Sequence, residues 1–183
     1  MRKIKSQAEI DKKKKRNQII IGVILVGLMM FSTIGYSLMD KGGSTTKTVK
    51  YAGLNFISTN GIWTIEGTQM YFNHLPTELG NVSIEGNYSL ESYSNQTLYF
   101  VNYSGAGELL INNLQGKIAR YQEACLDSAC GQDLPVKNCS KDLVIVFSSS
   151  TENRVYQKDK CVFIGGDYTQ GVDAFVYKLF GII

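Results

Sequence analysis

The sequence predicts a mixed α+β domain carried behind an N-terminal transmembrane helix. Three observations lead there. Twenty consecutive uncharged residues, "IIIGVILVGLMMFSTIGYSL", occupy positions 19–38. The rest of the chain alternates short β-rich runs with two helix-like segments. Those segments arrive as a β meander and then in the order β-α-β-β-α, the pattern of helices packed on a sheet.

Residues 1–17 form a basic tail, in which Arg2, Lys3, Lys5, Lys12, Lys13, Lys14, Lys15 and Arg16 stand against Glu9 and Asp11, a net +6. No charge occurs over residues 18–39. Twenty helical residues reach about 30 Å, the hydrocarbon thickness of a bilayer. Gly22, Gly27 and Gly35 are tolerated in a membrane helix, and Tyr36 stands where an interfacial aromatic belongs. The basic flank orients such a span with its N-terminus in the cytoplasm. The expectation is therefore a signal anchor at 18–39, single-pass in the cell membrane, with the lipid bilayer as partner. The basic tail also suits anionic lipid head groups.

Two alternatives stand beside it. Gly35-Tyr36-Ser37 offers the small residues of a signal-peptide cleavage site. A pilin-like filament subunit would be cleaved near Arg16, but the expected Gly there and the early Glu in the apolar run are missing. The chain's total charge of +3 leaves −3 after the apolar run, because the tail alone carries +6. That excludes a basic nucleic-acid-binding surface on the folded part.

Export has separate support. Asn81, Asn87, Asn95, Asn102 and Asn138 each begin an N-x-[S/T] sequon. The first four are glycosylation candidates. Asn138 is the poorest acceptor, since its neighbour Cys139 is expected in a disulfide.

Residues 40–50, beginning "DKGGSTTKT", read as a flexible Gly/Ser/Thr linker, and 51–183 as the exported domain. "LNFIS" and "IWTIE" pair as a hairpin through Asn60-Gly61, which supplies the positive φ angles of a tight turn. "QMYFNHL" follows, and Pro76 starts a short helical turn through Leu79. A short strand is expected at Val82–Ile84, then a loop, then a strong strand at Thr97–Tyr103. "SGAGELLINNLQGKIARYQEAC" reads as one helix capped by Ser104. Its apolar face would hold Leu110, Leu114, Ile118, Tyr121 and Cys125. "DLVIVFSS" suits a strand buried on both faces. "CVFIGG" is another strand, reached through a polar connection containing "ENRVYQKDK". "QGVDAFVYKLFGII" closes the chain as an amphipathic helix.

Cys125, Cys130, Cys139 and Cys161 are spaced C-x4-C-x8-C-x21-C. Zinc sites favour C-x2-C pairs or a trailing H-x3-H, and neither is present, so no metal is expected. Outside the cytosol the four read as two disulfides. Of three possible connectivities the expected one is Cys125–Cys130 with Cys139–Cys161. It requires Cys139 to lie in a loop that folds back, because antiparallel strands would not bring the second pair opposite. The β-α-β-β-α order also resembles the thioredoxin fold. There the reactive pair is C-x2-C at a helix N-terminus, where the dipole lowers the thiol pKa. Here the cysteines fall at or beyond the expected helix C-terminus.

Catalytic chemistry has few other footholds, and no catalytic residue or cofactor is assigned. His74 is the sole histidine and reads as a loop or sheet-edge residue. "SGAG" has the start of a phosphate-binding turn, but Leu110 replaces the third glycine. Glu66, Glu78, Asp127, Asp133, Asp167 and Asp173 form no paired motif and read as solvated.

The segments "KYAGLNFIS", "IWTIEGTQMYFNHLP" and "DAFVYKLFGII", behind an anchor, make the chain similar to uncharacterised, single-pass membrane-anchored exported proteins of archaea with small genomes. Those proteins also end in a short apolar helix with a Tyr-x-Leu-x-Gly-Ile-like tail. The resemblance implies an archaeal envelope and an N-terminal anchor, and no activity. The function expected is a disulfide-stabilised extracytoplasmic domain that binds an envelope protein or glycan, or assembles at the surface. The competing class is a membrane-tethered enzyme, including a thioredoxin-like thiol oxidoreductase.

Overall fold

The computed structural model describes the backbone of residues 7–39, 46–131 and 133–183, with side chains throughout except at 7–13 and 31–39. The start of the basic tail and most of the expected linker lie outside the described residues. The chain divides into two compact units, Met1–Ser44 and Thr45–Ile183.

The first unit holds one helix, α1 (Gln7–Met39). From Ile19 to Met30 its described side chains are uncharged, and Ile19, Ile20, Ile21, Val23, Ile24 and Leu25 cover more than a full turn and are all exposed, behind the exposed Lys14, Lys15 and Arg16. A helix in water shows one apolar stripe, whereas an all-round apolar surface belongs in a nonpolar surrounding. Among the described residues no helix is long and apolar enough to cross a membrane. The last eight positions of the uncharged run, 31–38, have side chains outside the described residues.

The second unit is mixed α+β. It opens with an antiparallel four-stranded sheet in sequence order: β1 (Lys47–Tyr51), β2 (Leu54–Thr59), β3 (Ile62–Ile65) and β4 (Tyr71–Phe72). Asn60 and Gly61 turn β2 into β3 with φ of 54° and 84°, the left-handed pair that a two-residue hairpin needs. The domain starts earlier than its expected boundary at 51, because β1 takes up the end of the presumed linker. Thr48 and Val49 are β-branched and pair with Ile57 and Phe56. Beyond the sheet, Pro76–Glu78 form one 3-10 turn, as Pro76 leads one to expect.

The remaining strands build a six-stranded sheet in the order β5 (Ser83–Glu85), β11 (Arg154–Lys158), β12 (Cys161–Gly165), β10 (Leu143–Ser148), β6 (Thr97–Val101), β7 (Arg120–Glu123). β12, β10, β6 and β7 run parallel, and β11 runs against β12. Between β7 and β10 lies a two-stranded parallel ladder, β8 (Cys125–Leu126) with β9 (Val136–Lys137).

Three expectations are corrected here. The helix after β6 is α2 (Gly105–Asn113), about half the expected length. Gly116 adopts φ of 75°, which ends the helical path, and the chain re-enters the sheet as β7. Leu110 and Leu114 are buried as the face required, but Tyr121 is 54% exposed on an edge strand. Second, "RVYQK" is strand β11 rather than a polar connection; its inward residue Val155 is fully buried while its neighbours face outward. Third, Ser104 precedes α2 without a side-chain cap bond, and its Oγ is buried without a partner.

Alternation sorts the central strands into two faces. Leu98, Phe100, Ile145, Phe147, Val162 and Ile164 join the core under α2 and α3 (Tyr168–Leu179). Tyr99, Val144, Val146 and Cys161 form a second, smaller core on the opposite face. Asp167 caps α3 by accepting from the backbone N–H groups of Thr169 (2.9 Å) and Gln170 (3.2 Å). Gly171 lets α3 approach β12: a Cβ there would sit 2.5 Å from Ile164 Cγ2. Tyr177 on α3 stacks on Phe72 of β4 at 4.2 Å, which joins the small sheet to the large one's helical layer.

Candidate functional site

Two constellations stand out in the second unit. The first is the cysteine loop. Disulfides link Cys125 to Cys130 and Cys139 to Cys161, and no described cysteine is free. This is the expected connectivity, reached by a different geometry. β10 and β12 are parallel neighbours with Val144 opposite Cys161. Their starting ends therefore lie side by side, and Cys139, just ahead of β10, meets Cys161 there. The intervening β11 makes the parallel arrangement possible, and it is the strand that sequence reasoning missed.

The loop forms a roof over the second core. Cys125 N–H donates to Pro135 O (3.0 Å) and Asp127 N–H to Lys137 O (2.8 Å), so the loop is closed by backbone bonds as well. Lys137 Nζ lies 4.1 Å from the centre of the Tyr99 ring and 3.5 Å from Asp142. A side-chain hydrogen bond with Tyr99, then the charge of Asp142, raises the lysine pKa and holds it protonated. Tyr99, Val144, Val146 and Cys161 are thus buried, with Leu126 and Cys139 packed against them.

The two disulfides differ in setting. Cys161 is fully buried, and Cys139 packs beside it. Cys125 is 2% exposed, but its partner Cys130 lies at the surface, with its N–H 3.2 Å from Cys125 Sγ. This second bridge lines a cavity of about 540 Å³ at the carboxyl ends of β6 and β7, with Asn102, Tyr103 and Glu123. Neither cysteine of that bridge opens a helix, so the dipole that activates thiols in the thioredoxin arrangement is not supplied.

The second constellation is centred on His74 and Asp173. Asp173 lies on α3 with no exposed surface, which corrects its reading as a solvated carboxylate. Its Oδ2 accepts from Asn73 N–H (3.0 Å) and His74 N–H (2.8 Å), and stands 2.9 Å from His74 Nδ1. Its Oδ1 is buried without a partner. Burial pushes the carboxyl pKa up to about 6, against the opposing pull of the His74 bonds. Tyr177 O–H donates to His74 O at 2.7 Å, and burial raises the phenol's pKa as well. A histidine held at Nδ1 by a carboxylate is the base half of a catalytic triad. However, His74 does not line the cavity beside the Cys125–Cys130 bridge. The geometry describes a clasp that fixes the loop after β4 to α3. Asp173 had one legible sign: Val172, Ala174, Val176 and Tyr177 surround it with apolar residues on the buried side of a helix.

A further polar contact went unread. Asn113, at the end of α2, accepts from Tyr71 N–H and donates to Tyr71 O, both at 2.8 Å. Its amide imitates a neighbouring strand and fixes β4 in place.

The other sequence candidates are placed as follows. Gly107 of "SGAG" lies under the Tyr103 ring, where a Cβ would come within 2.5 Å, so the glycine serves close packing. Asn81, Asn87 and Asn95 are exposed. Asn102 is exposed, but its Nδ2 donates to Phe147 O at 3.0 Å with φ of 55°, so modification would have to break that bond. Asn138 Nδ2 is engaged by Asp127 Oδ1 at 2.9 Å. Among the described residues no cluster of His, Cys, Asp and Glu could hold a metal ion.

No protein-family model, curated protein or solved structure matches this chain.

Proposed function

We propose that the chain is a single-pass membrane protein of an archaeal-type envelope, with a cytoplasmic basic tail and an extracytoplasmic domain that binds a surface partner. One observation carries this reading: both cysteine pairs are closed, and the Cys139–Cys161 bridge is sealed in the core. Such bridges form and persist in oxidising compartments. The apolar surface around α1 and the +6 tail ahead of it supply the anchor and its orientation. Three sequons, at Asn81, Asn87 and Asn95, are exposed with the Asn side chain unengaged, in agreement with a domain displayed outside.

Thiol counting tests the disulfide part. The full chain, purified without reductant, is treated with an alkylating reagent, folded and then unfolded. No thiol is expected to react in either state. Four reactive thiols on unfolding would remove the basis of the proposal.

Thiol exchange is the second reading, and the Cys125–Cys130 bridge favours it, with one sulfur-bearing residue exposed beside a cavity. It calls for selective reduction of that bridge by glutathione while Cys139–Cys161 stays closed. Reduction of both together, or of neither, contradicts it.

A further inference from the structure

The Cys125–Cys130 bridge has a direction built into it. Cys125 is 2% exposed, whereas Cys130 is exposed and borders the cavity at the carboxyl ends of β6 and β7. A thiolate arriving from solvent therefore meets Cys130, and Cys125 is the sulfur it displaces. The displaced sulfur has a partner ready, because Cys130 N–H stands 3.2 Å from Cys125 Sγ. A hydrogen bond to the anion favours it and offsets part of the cost of burial.

The cavity also has a sign. β6, α2 and β7 form a β-α-β unit, and ligands of such units dock at the carboxyl ends of the strands. Glu123 is the one charged residue in the lining, and no basic residue joins it. Glu123 is exposed and forms no ion pair among the described residues. Residues 121–136 add Asp127 and Asp133, again without Lys, Arg or His. The basic residues flanking this stretch are engaged elsewhere. Arg120 Nε donates to Thr97 Oγ1 at 3.1 Å, and Lys137 is held between Tyr99 and Asp142. An incoming thiolate is an anion, so the unmatched carboxylate repels it. An ammonium group on the same molecule reverses that repulsion. Tyr103, Leu126 and Leu134 line the rest of the cavity and suit a carbon skeleton.

We propose that the Cys125–Cys130 bridge exchanges with thiols that carry an ammonium group, by attack at Cys130 with Glu123 positioning the cation. The inference deepens the thiol-exchange reading above and rests on it, naming the substrate class and the sulfur attacked. The incoming thiol gives its proton to solvent and bonds to Cys130 Sγ. The Cys125–Cys130 bond breaks, and its electron pair leaves on Cys125 Sγ as a thiolate. The bridge is the oxidant and the incoming thiol the reductant.

The test uses the full chain in nanodiscs of neutral lipid, mixed with cysteamine, mercaptoethanol or mercaptopropionate. Rates of bridge opening are divided by each thiolate concentration, and the products are alkylated and mapped by mass spectrometry. The cationic thiol is expected to react fastest and the anionic one slowest, about tenfold apart at low salt. The adduct is expected on Cys130, with Cys125 alkylated. Glu123→Gln and high salt should each narrow the spread. If Glu123→Gln fails to fold, the salt dependence of the parent protein decides. Exchange without a charge order, a spread unchanged in both Glu123→Gln and high salt, or an adduct on Cys125 would overturn the inference and leave the exchange reading standing. No opening of this bridge by any of the three thiols would overturn both.

Discussion

Cys161, the first residue of β12, is bonded to Cys139, four residues ahead of β10, because the two strands run parallel and start at the same end of the sheet. The bridge therefore anchors the loop over the second core at its final residue, and Cys125–Cys130 pins its first.

The two bridges are expected to differ in worth. Cys139–Cys161 spans 22 residues and Cys125–Cys130 spans 5. Loop-closure entropy assigns about 3 kcal/mol to the first and about 2 kcal/mol to the second. The paired substitution Cys139→Ser with Cys161→Ser should lower the denaturant midpoint more than Cys125→Ser with Cys130→Ser. The gap widens because Cys161 is also fully buried, so its serine hydroxyl needs a partner. Equal losses would place the loop's stability elsewhere.

Asp173 should make stability fall as pH rises through the weakly acidic range. Its folded pKa of about 6 exceeds the ordinary 3.8, so the folded state holds the proton more tightly. That contribution is complete below about pH 4 and is lost as pH climbs to about 6. Relative to Asp173→Asn, which keeps the acceptor but cannot ionise, the parent protein should lose up to about 3 kcal/mol across that window. Denaturant titrations at pH 4, 5, 6 and 7 measure it. A difference that stays flat, or rises with pH, contradicts the assignment.

Asn113→Ala should cost about 1–3 kcal/mol, since Tyr71 would lose a partner at both its N–H and its C=O in a part-buried setting. Hydrogen exchange should show the Tyr71 amide opening faster, with strands β10 and β12 unchanged. Loss of protection across both sheets together would mean that Asn113 does more than hold β4.

Gly171→Ala tests the approach of α3 to β12. Alanine favours a helix over glycine by about 1 kcal/mol, yet here its Cβ would meet Ile164 Cγ2 at 2.5 Å. Overpacking of that kind costs about 1–3 kcal/mol, so the thermal midpoint should drop. A rise would show that the helix can shift outward freely.

The elements with strong local patterns were legible before folding. The Asn60-Gly61 hairpin, the β-branched run of β10 and the amphipathic α3 all declare themselves over a few residues. β11 did not, because only Val155 faces the core and the charged residues around it resemble a connection. α2 was overextended because Leu110, Leu114, Ile118 and Tyr121 keep helical spacing past Gly116, whose positive φ breaks the path. The cysteine pairing was legible while its geometric cause was not, since the parallel order depends on β11. The His74–Asp173 clasp was illegible from spacing, as its members are 99 residues apart, though a lone carboxylate within an apolar helical face was its trace.

The proposal as a whole turns on which side of the membrane residues 46–183 occupy. The direct measurement is a pair of fusions after Ile183, one to a phosphatase active only outside the cytoplasm and one to a fluorescent protein that matures only inside. The account expects phosphatase activity in the membrane fraction and no fluorescence. Bright fluorescence with an inactive phosphatase would contradict it, leaving both disulfides to be explained inside the cell.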